Sequence, residues 1–237
     1  MKQQTSRSRL LRVLEPAAYA RLADDLERVQ LEDGNILISA GGPIESTYFP
    51  ETAVTAFRDV LADGSRVEVG IVGYEGMAGW PAILGCDRSP HEVVVQGGGG
   101  TALAIRVDVL RDISAAYPAV MTVLLRYINV LMVQVARTAV CNLRDPVERR
   151  LSSWLLMCHD RLEGDEIDLT HKVIASMLGI RRASVTEGLN ALEGRSVIRS
   201  RRGRIVIRDR KELRNLAGDG YGHAEAHYCR TIGPFGK

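Results

Sequence analysis

Apolar positions change their spacing along this chain, and each change marks a different kind of element. Between residues 9 and 30, Leu10, Leu11, Val13, Leu14, Tyr19, Leu22, Leu26 and Val29 cluster at roughly helical intervals. Pro16 suits the start of a second helix there. From Leu31 the texture turns to short apolar runs cut by glycine: Ile36-Leu37-Ile38, Thr47-Tyr48-Phe49, Val54–Leu61, Arg66–Val72, Val93-Val94-Val95 and Ala102–Ile105. Asp33-Gly34-Asn35, Gly41-Gly42-Pro43 and Asp63-Gly64 supply turns, the last a strong hairpin signal. Short strands at such close intervals predict an antiparallel barrel or roll rather than alternating strand–helix units. The run Gly97-Gly98-Gly99-Gly100 joins two of these strands and lacks the Lys-Ser/Thr of a nucleotide-triphosphate loop, so it reads as a flexible hairpin.

The period then becomes helical and stays so. From Val120 to Leu143 there is neither glycine nor proline, and Met121, Leu125, Ile128, Met132, Val135 and Ala139 recur at alternating spacings of four and three. That is the seam of a two-stranded coiled coil and a candidate dimer interface. Leu124, Val130, Leu131 and Val133 make further faces apolar, so the helix should also pack on its own roll; a single buried core helix is the alternative. No uninterrupted apolar run reaches the ~18 residues of a membrane span. Asn142 to Pro146 breaks the pattern and forms a candidate hinge. Val147, Leu151, Trp154, Leu155 and Met157 line the next helix, and a turn with a short strand (Ile167 to Leu169) leads to Thr170, a good N-cap.

Beyond Thr170 the pattern gives a helix, a tight turn, a second helix and a hairpin. Val173, Ile174, Met177 and Leu178 should face a core around Ala175, with Gly179 at a left-handed turn position. The second helix, about Arg182 to Glu193, puts Val185, Leu189 and Leu192 on one face. Ala183, Glu187 and Asn190 lie roughly opposite, beside Arg182 and Thr186. Gly188 costs that helix roughly 1 kcal/mol relative to alanine, and either admits a close backbone neighbour or simply weakens it. Val197–Arg199 and Ile205–Ile207 flank Arg201-Arg202-Gly203-Arg204, a basic hairpin tip. This is the layout of a winged helix-turn-helix, which reads DNA. The fold class is therefore α+β: residues 1–118 an antiparallel β-roll with N-terminal helices, 119–144 a dimerisation helix, 145–217 the winged helix-turn-helix, and 218–237 a C-terminal tail.

Charge sharpens the reading. The 237 residues carry a net charge of +2, with 46% hydrophobic and 25% charged residues, ordinary for a soluble globular chain. Residues 170–210 alone hold ten basic residues against three acids, so the segment is +7 and the remainder −5. A charge run is commonly a solvated face, but this one coincides with the helix pair and hairpin and points to nucleic acid. Arg182, Ala183, Thr186, Glu187 and Asn190 are the candidate base readers, since arginine pairs with guanine, asparagine with adenine, and glutamate accepts from cytosine. Thr170, Lys172, Arg181, Arg201, Arg202 and Arg204 are the candidate phosphate contacts, which hold register without reading sequence.

Cys86, Cys141, Cys158 and Cys229 are scattered without CxxC spacing, and the first residues form no apolar signal core, so a reducing cytoplasm is expected. His223, His227 and Cys229 have a metal-like spacing, but Gly218, Gly220 and Gly222 argue against a stable helix there, leaving a structural or disordered tail. His159 reads as a partly exposed helix-end residue. No nucleophile–base set, paired carboxylates or metal cluster emerges, so neither catalysis, a cofactor nor a metal is predicted.

The segment VGIVGYEGMAGWPAILG (Val69–Gly85), with LTHKVIASMLGIRRASVTEGLNALE and RSRRGRIVIRDR near the end, resembles the Crp/Fnr superfamily of bacterial transcription regulators along nearly the whole chain. The resemblance implies a cyclic-nucleotide-binding-like β-roll, a long dimer helix and a winged helix. It makes Gly76, Met77, Arg88 and Ser89 the candidate effector pocket. Met77 stands where cyclic-AMP binders place a glutamate for the ribose hydroxyl, which points away from cyclic AMP. The cysteine cluster of iron–sulfur members is absent. Arg182 matches the family arginine that reads guanine, while Ala183 and Glu187 replace a glutamate and an arginine, implying a different operator. The expected function is a homodimeric, sequence-specific regulator on a palindromic operator, with RNA polymerase as a further partner. The alternatives are a cyclic-nucleotide-responsive regulator and a regulatory or protein-interaction module that does not bind DNA.

Overall fold

In the computed structural model, which describes residues 3–201 and 203–237, the N-terminal helical signal resolves into two short helices and a strand. Leu10 and Leu11 bury α1 (Arg9–Arg12); Ala18, Tyr19 and Leu22 bury α2 (Pro16–Ala23), which Pro16 opens. Helix was expected to residue 30, but Glu27–Leu31 is the first strand, β1. Strand pairing along its length outweighs the weak helical spacing of Leu26 and Val29. β2 (Ile36–Ile38), β3 (Ser46–Pro50), β4 (Val54–Val60), β5 (Arg66–Val72), β6 (Glu92–Gln96) and β7 (Gly100–Arg106) complete the roll. They form two antiparallel sheets, β1-β7-β3 and β2-β6-β4-β5, around a core that includes Phe49, Phe57, Met77, Leu103 and Ile105.

The four-glycine run is a packed turn rather than a flexible one. All four glycines have positive φ, from 72° to 145°. A Cβ on Gly99 would sit 2.5 Å from the Leu31 carbonyl oxygen, and one on Gly100 the same distance from the Ala53 nitrogen. Backbone contacts so short leave no room for a side chain.

After α3 (Val107–Ala116), α4 (Pro118–Arg144) runs 27 residues and buries Val120, Leu124, Tyr127, Ile128, Val130, Leu131 and Gln134 against the roll. With a mean hydropathy of 1.7 in its most apolar window it is long and apolar enough to cross a membrane by length and composition, although polar residues interrupt its apolar runs. Its inward face instead supplies core to the roll, and the Gln134 amide is bonded to the backbone of Ile71 on β5. α5 (Val147–Arg161), β8 (Glu166–Ile167), α6 (His171–Leu178), α7 (Arg182–Gly194), β9 (Ile198–Arg201), β10 (Arg204–Ile207) and α8 (Arg210–Ala217) complete the C-terminal half, with the small sheet ordered β8-β10-β9. Leu151, Leu155, Ile174, Val185, Leu189, Leu192 and Leu213 are fully buried at their centre.

Residues 218–237, expected as a structural or disordered tail, are structured and docked as a strap. The glycines precede a helix rather than interrupt it: Gly222, at φ 99°, caps α9 (His223–Thr231), and its N–H donates to the Glu225 carboxylate at 3.0 Å. Tyr228 is buried and its hydroxyl donates to the Glu75 carbonyl at 2.8 Å. Phe235 packs under the Arg161 guanidinium, 5.2 Å away, and the Lys237 N–H donates to Asp160.

The two halves share a core. Ala56, Ile71 and Val94 of the roll cluster with Trp154, Leu155 and the helix-turn-helix interior. Polar bonds cross the same seam: Trp154 Nε1 donates to Glu68 at 3.4 Å and Arg161 pairs with Glu75 at 2.8 Å, while Gln96 Nε2 holds Glu68 from within the roll at 2.8 Å. Ser176 on α6 donates to the Arg66 carbonyl of β5.

Candidate nucleic-acid interface

The presentation of α7 begins one helix earlier. Thr170 caps α6, its hydroxyl accepting from the Val173 N–H at 3.3 Å. Gly179 ends α6 at φ 60°, the left-handed position that lets the chain turn sharply into α7. Val185, Leu189 and Leu192 pin α7 from below. Gly188 faces α5, where a Cβ would lie 2.4 Å from Leu151 Cδ1, so the glycine lets the two helices close.

The opposite face is open. Arg182, Ala183, Glu187 and Asn190 are all exposed. Thr186 departs from the expected set: it is half-buried, its hydroxyl donates to the Arg182 carbonyl, and it lies 3.0 Å from His171 Nδ1. That hydroxyl ties α7 to α6 rather than facing outward. His171, the first residue of α6, was missed in sequence because nothing in its spacing shows that its ring meets the second helix.

Of the phosphate candidates, Lys172, Arg181 and Arg201 are exposed and have no acidic partner among the described residues. Arg204 does: Glu166 lies at 2.8 Å and Asp168 at 2.9 Å, so its guanidinium staples β10 to the β8 segment and its charge is largely cancelled. Arg202 lies outside the described residues. Arg195 and Arg210 are likewise paired, with Glu148 and Asp160 from α5. Acids outside residues 170–210 thus neutralise part of the segment's charge and leave it concentrated on Lys172, Arg181, Arg182, Arg199, Arg201 and Arg208.

The junction with α4 is braced. Arg150 Nε donates to Asn142 Oδ1 at 2.9 Å while the same guanidinium bonds the Leu178 carbonyl at the end of α6. Along α4 the outward stripe is rotated from the expected seam. Leu125, Met132 and Ala139 are exposed, Met121 and Val135 are half-buried on the roll, and Ile128 is only 4% exposed within its core. Asn129, Ala136, Val140 and Leu143 take the vacated positions, Leu143 being 86% exposed. The shift arises because the roll claims the Ile128 face first.

Residues 149–216 match the Crp-like helix-turn-helix domain family. The chain's fold is similar to that of a Crp/Fnr-family putative transcriptional regulator of Eubacterium rectale, with TM-score 0.67 and 19% identity over 88% of this chain and 97% of that one. A CRP-family transcriptional regulator of Thermus thermophilus gives TM-score 0.66 and 17% identity over 81% and 96%. The c-di-GMP-responsive regulator CLP of Xanthomonas campestris gives 0.64 and 14% over 81% and 99%. At such identities the likeness is one of fold. No curated protein matches the chain in sequence.

Within this Crp/Fnr fold, the expected effector residues do not converge. Met77 is fully buried in the roll, and a Cβ on Gly76 would lie 2.2 Å from the Tyr127 hydroxyl oxygen. Arg88 lies on the surface and donates to the Gly41 carbonyl at 2.7 Å, and the Ser89 hydroxyl donates to the His91 carbonyl. Phe57, Met77 and Tyr127 are all buried in the core of the roll. His159 also differs from expectation: it is 3% exposed, held between Asp165 at 2.8 Å and Arg210 at 2.9 Å. Burial lowers its pKa, against the pull of Asp165.

Proposed function

We propose that this chain is a homodimeric, sequence-specific DNA-binding transcription regulator acting in the cytoplasm, and not an enzyme. The observation that carries the reading is the outward face of α7. Four side chains able to meet a major groove stand free of partners among the described residues, on a helix anchored from below and flanked by cations that have no acidic partner there. Arg182 pairs with guanine, Asn190 with adenine, and Glu187 accepts from cytosine. Lys172, Arg181 and Arg201 hold the backbone. The exposed apolar stripe of α4 supports a two-fold dimer, which sets half-site centres about one duplex turn, ~34 Å, apart on a palindrome. Met77, buried and standing where cyclic-AMP binders place a glutamate, argues against cyclic AMP as the effector.

Selection of bound sequences from a random duplex pool tests this directly. The expected result is a palindrome bound as a dimer, with affinity falling steeply with salt as phosphate-bound counterions are released. Failure to retain any duplex at low salt would overturn it in favour of a protein-interaction module.

A further inference from the structure

The N-terminal segment, Tyr74 of the roll, the end of α5 and Lys237 enclose a cleft of about 670 Å3. Its wall charges do not cancel. Arg7 pairs with Glu163, Arg161 with Glu75, and Asp160 with Arg210. Arg9 and Arg12 are left, with the Lys237 ammonium beside them. Arg9 donates to the Pro234 carbonyl and lies 5.2 Å over the Tyr74 ring, and the Lys237 ammonium donates to the Gly164 carbonyl. Carbonyls and rings satisfy donors without supplying a negative charge. The Arg12 guanidinium is exposed and has no partner among the described residues.

We propose that this cleft binds a small phosphate-bearing molecule of nucleotide size, gripped by Arg9 and Arg12. A guanidinium offers a planar fork of donors that matches phosphate oxygens two at a time. The volume falls in the range of small-ligand sites, roughly 300–1,000 Å3. The concavity, walled on one side by Lys237, suits a small molecule better than a duplex. Arg9, Arg12 and Tyr74 belong to the roll, whereas Asp160 to Gly164 belong to the DNA-binding half, so an occupant bridges the two and favours their docked arrangement. Gly76, Met77, Arg88 and Ser89 take no part, which makes this site distinct from the pocket the family resemblance implied.

Calorimetric titration of the full chain with ATP and with inorganic pyrophosphate, at fixed ionic strength and without divalent metal, tests the site. The expected result is saturable binding of at least one probe, weakened tenfold or more in R12Q and in R9Q. Because the Arg12 guanidinium has no hydrogen-bond or ion-pair partner among the described residues, R12Q should melt with the wild type, and a matched melting curve confirms that it is folded. No saturable binding of either probe, or equal binding by wild type and R12Q, overturns the proposal. So does displacement of a bound probe by random duplex, which would make the cleft a DNA contact. Retention of selected duplexes by the unliganded protein is scored separately, so loss of the DNA-binding reading and loss of this site are distinguishable.

Discussion

Glu68 carries a pH dependence that one substitution should remove. Its carboxyl is buried between the roll and α5, accepting from Gln96 and Trp154, with Arg58 on β4 and the Cys158 thiol on α5 also nearby. Burial raises its pKa from 4.5 to about 7, against the smaller pull of Gln96, Trp154 and Arg58. A raised carboxyl stabilises the folded state fully below its unfolded pKa, and that stability is lost as pH rises through the folded value. A rise to about 7 corresponds to roughly 3 kcal/mol, of which about 2–3 kcal/mol disappears between pH 5 and pH 8. Glu68→Gln keeps the shape but cannot ionise; its oxygen can accept from Trp154, and its NH2 can donate to Gln96 once that amide turns to present its oxygen. Urea unfolding followed by tryptophan fluorescence at pH 5, 6, 7 and 8 reads the effect. The wild type should lose stability steeply toward pH 8, whereas the variant should be flatter by that amount and the more stable of the two at pH 8. Parallel pH profiles for the two proteins would refute the reasoning.

Other perturbations separate the remaining roles. Arg182→Ala should cost about 1–3 kcal/mol and relax preference at one base pair of each half-site; Arg201→Ala should weaken all sequences similarly and lower the salt slope by about 1, both measured by fluorescence anisotropy. Met132→Lys places a charge at the centre of the free α4 stripe and should yield a folded monomer by light scattering; an unchanged dimer would move the interface elsewhere. Gly188→Ala gains about 1 kcal/mol of helix propensity but overpacks against Leu151, typically by about 1–3 kcal/mol, so net destabilisation of roughly 1 kcal/mol is expected in urea titration.

How legible the chain was depended on whether a signal was local. Thr170, Gly179, Val185 and the Asp63-Gly64 turn act within a few residues of themselves, and the structure places them as caps, turns and anchors. The α4 seam was half legible: Leu125, Met132 and Ala139 face out, but periodicity carries no mark of which apolar face the roll takes, and Ile128 was lost to it. The pairing of Arg204 was hidden for a similar reason, since its acids, Glu166 and Asp168, lie on the separate β8 segment. Gly218, Gly220 and Gly222 were read as breakers of the segment beyond them, when Gly222 caps it and Tyr228 supplies the burial that holds it. Glu68–Trp154 and Glu75–Arg161 left no trace in sequence, because each joins residues 86 apart that only the folded chain brings together.

The bracing of Arg150 has a consequence for the DNA itself. One guanidinium grips both the end of α4 and the end of α6, so in a dimer built on α4 the two reading heads have little freedom to swing apart. Each base pair inserted between half-sites moves them ~3.4 Å along the duplex and turns one about the axis by roughly a tenth of a turn. A stiff joint should tolerate few such insertions, whereas Arg150→Ala should accept a broader range at lower peak affinity. Operators lengthened one base pair at a time would then serve as a ruler for the stiffness of a single side chain.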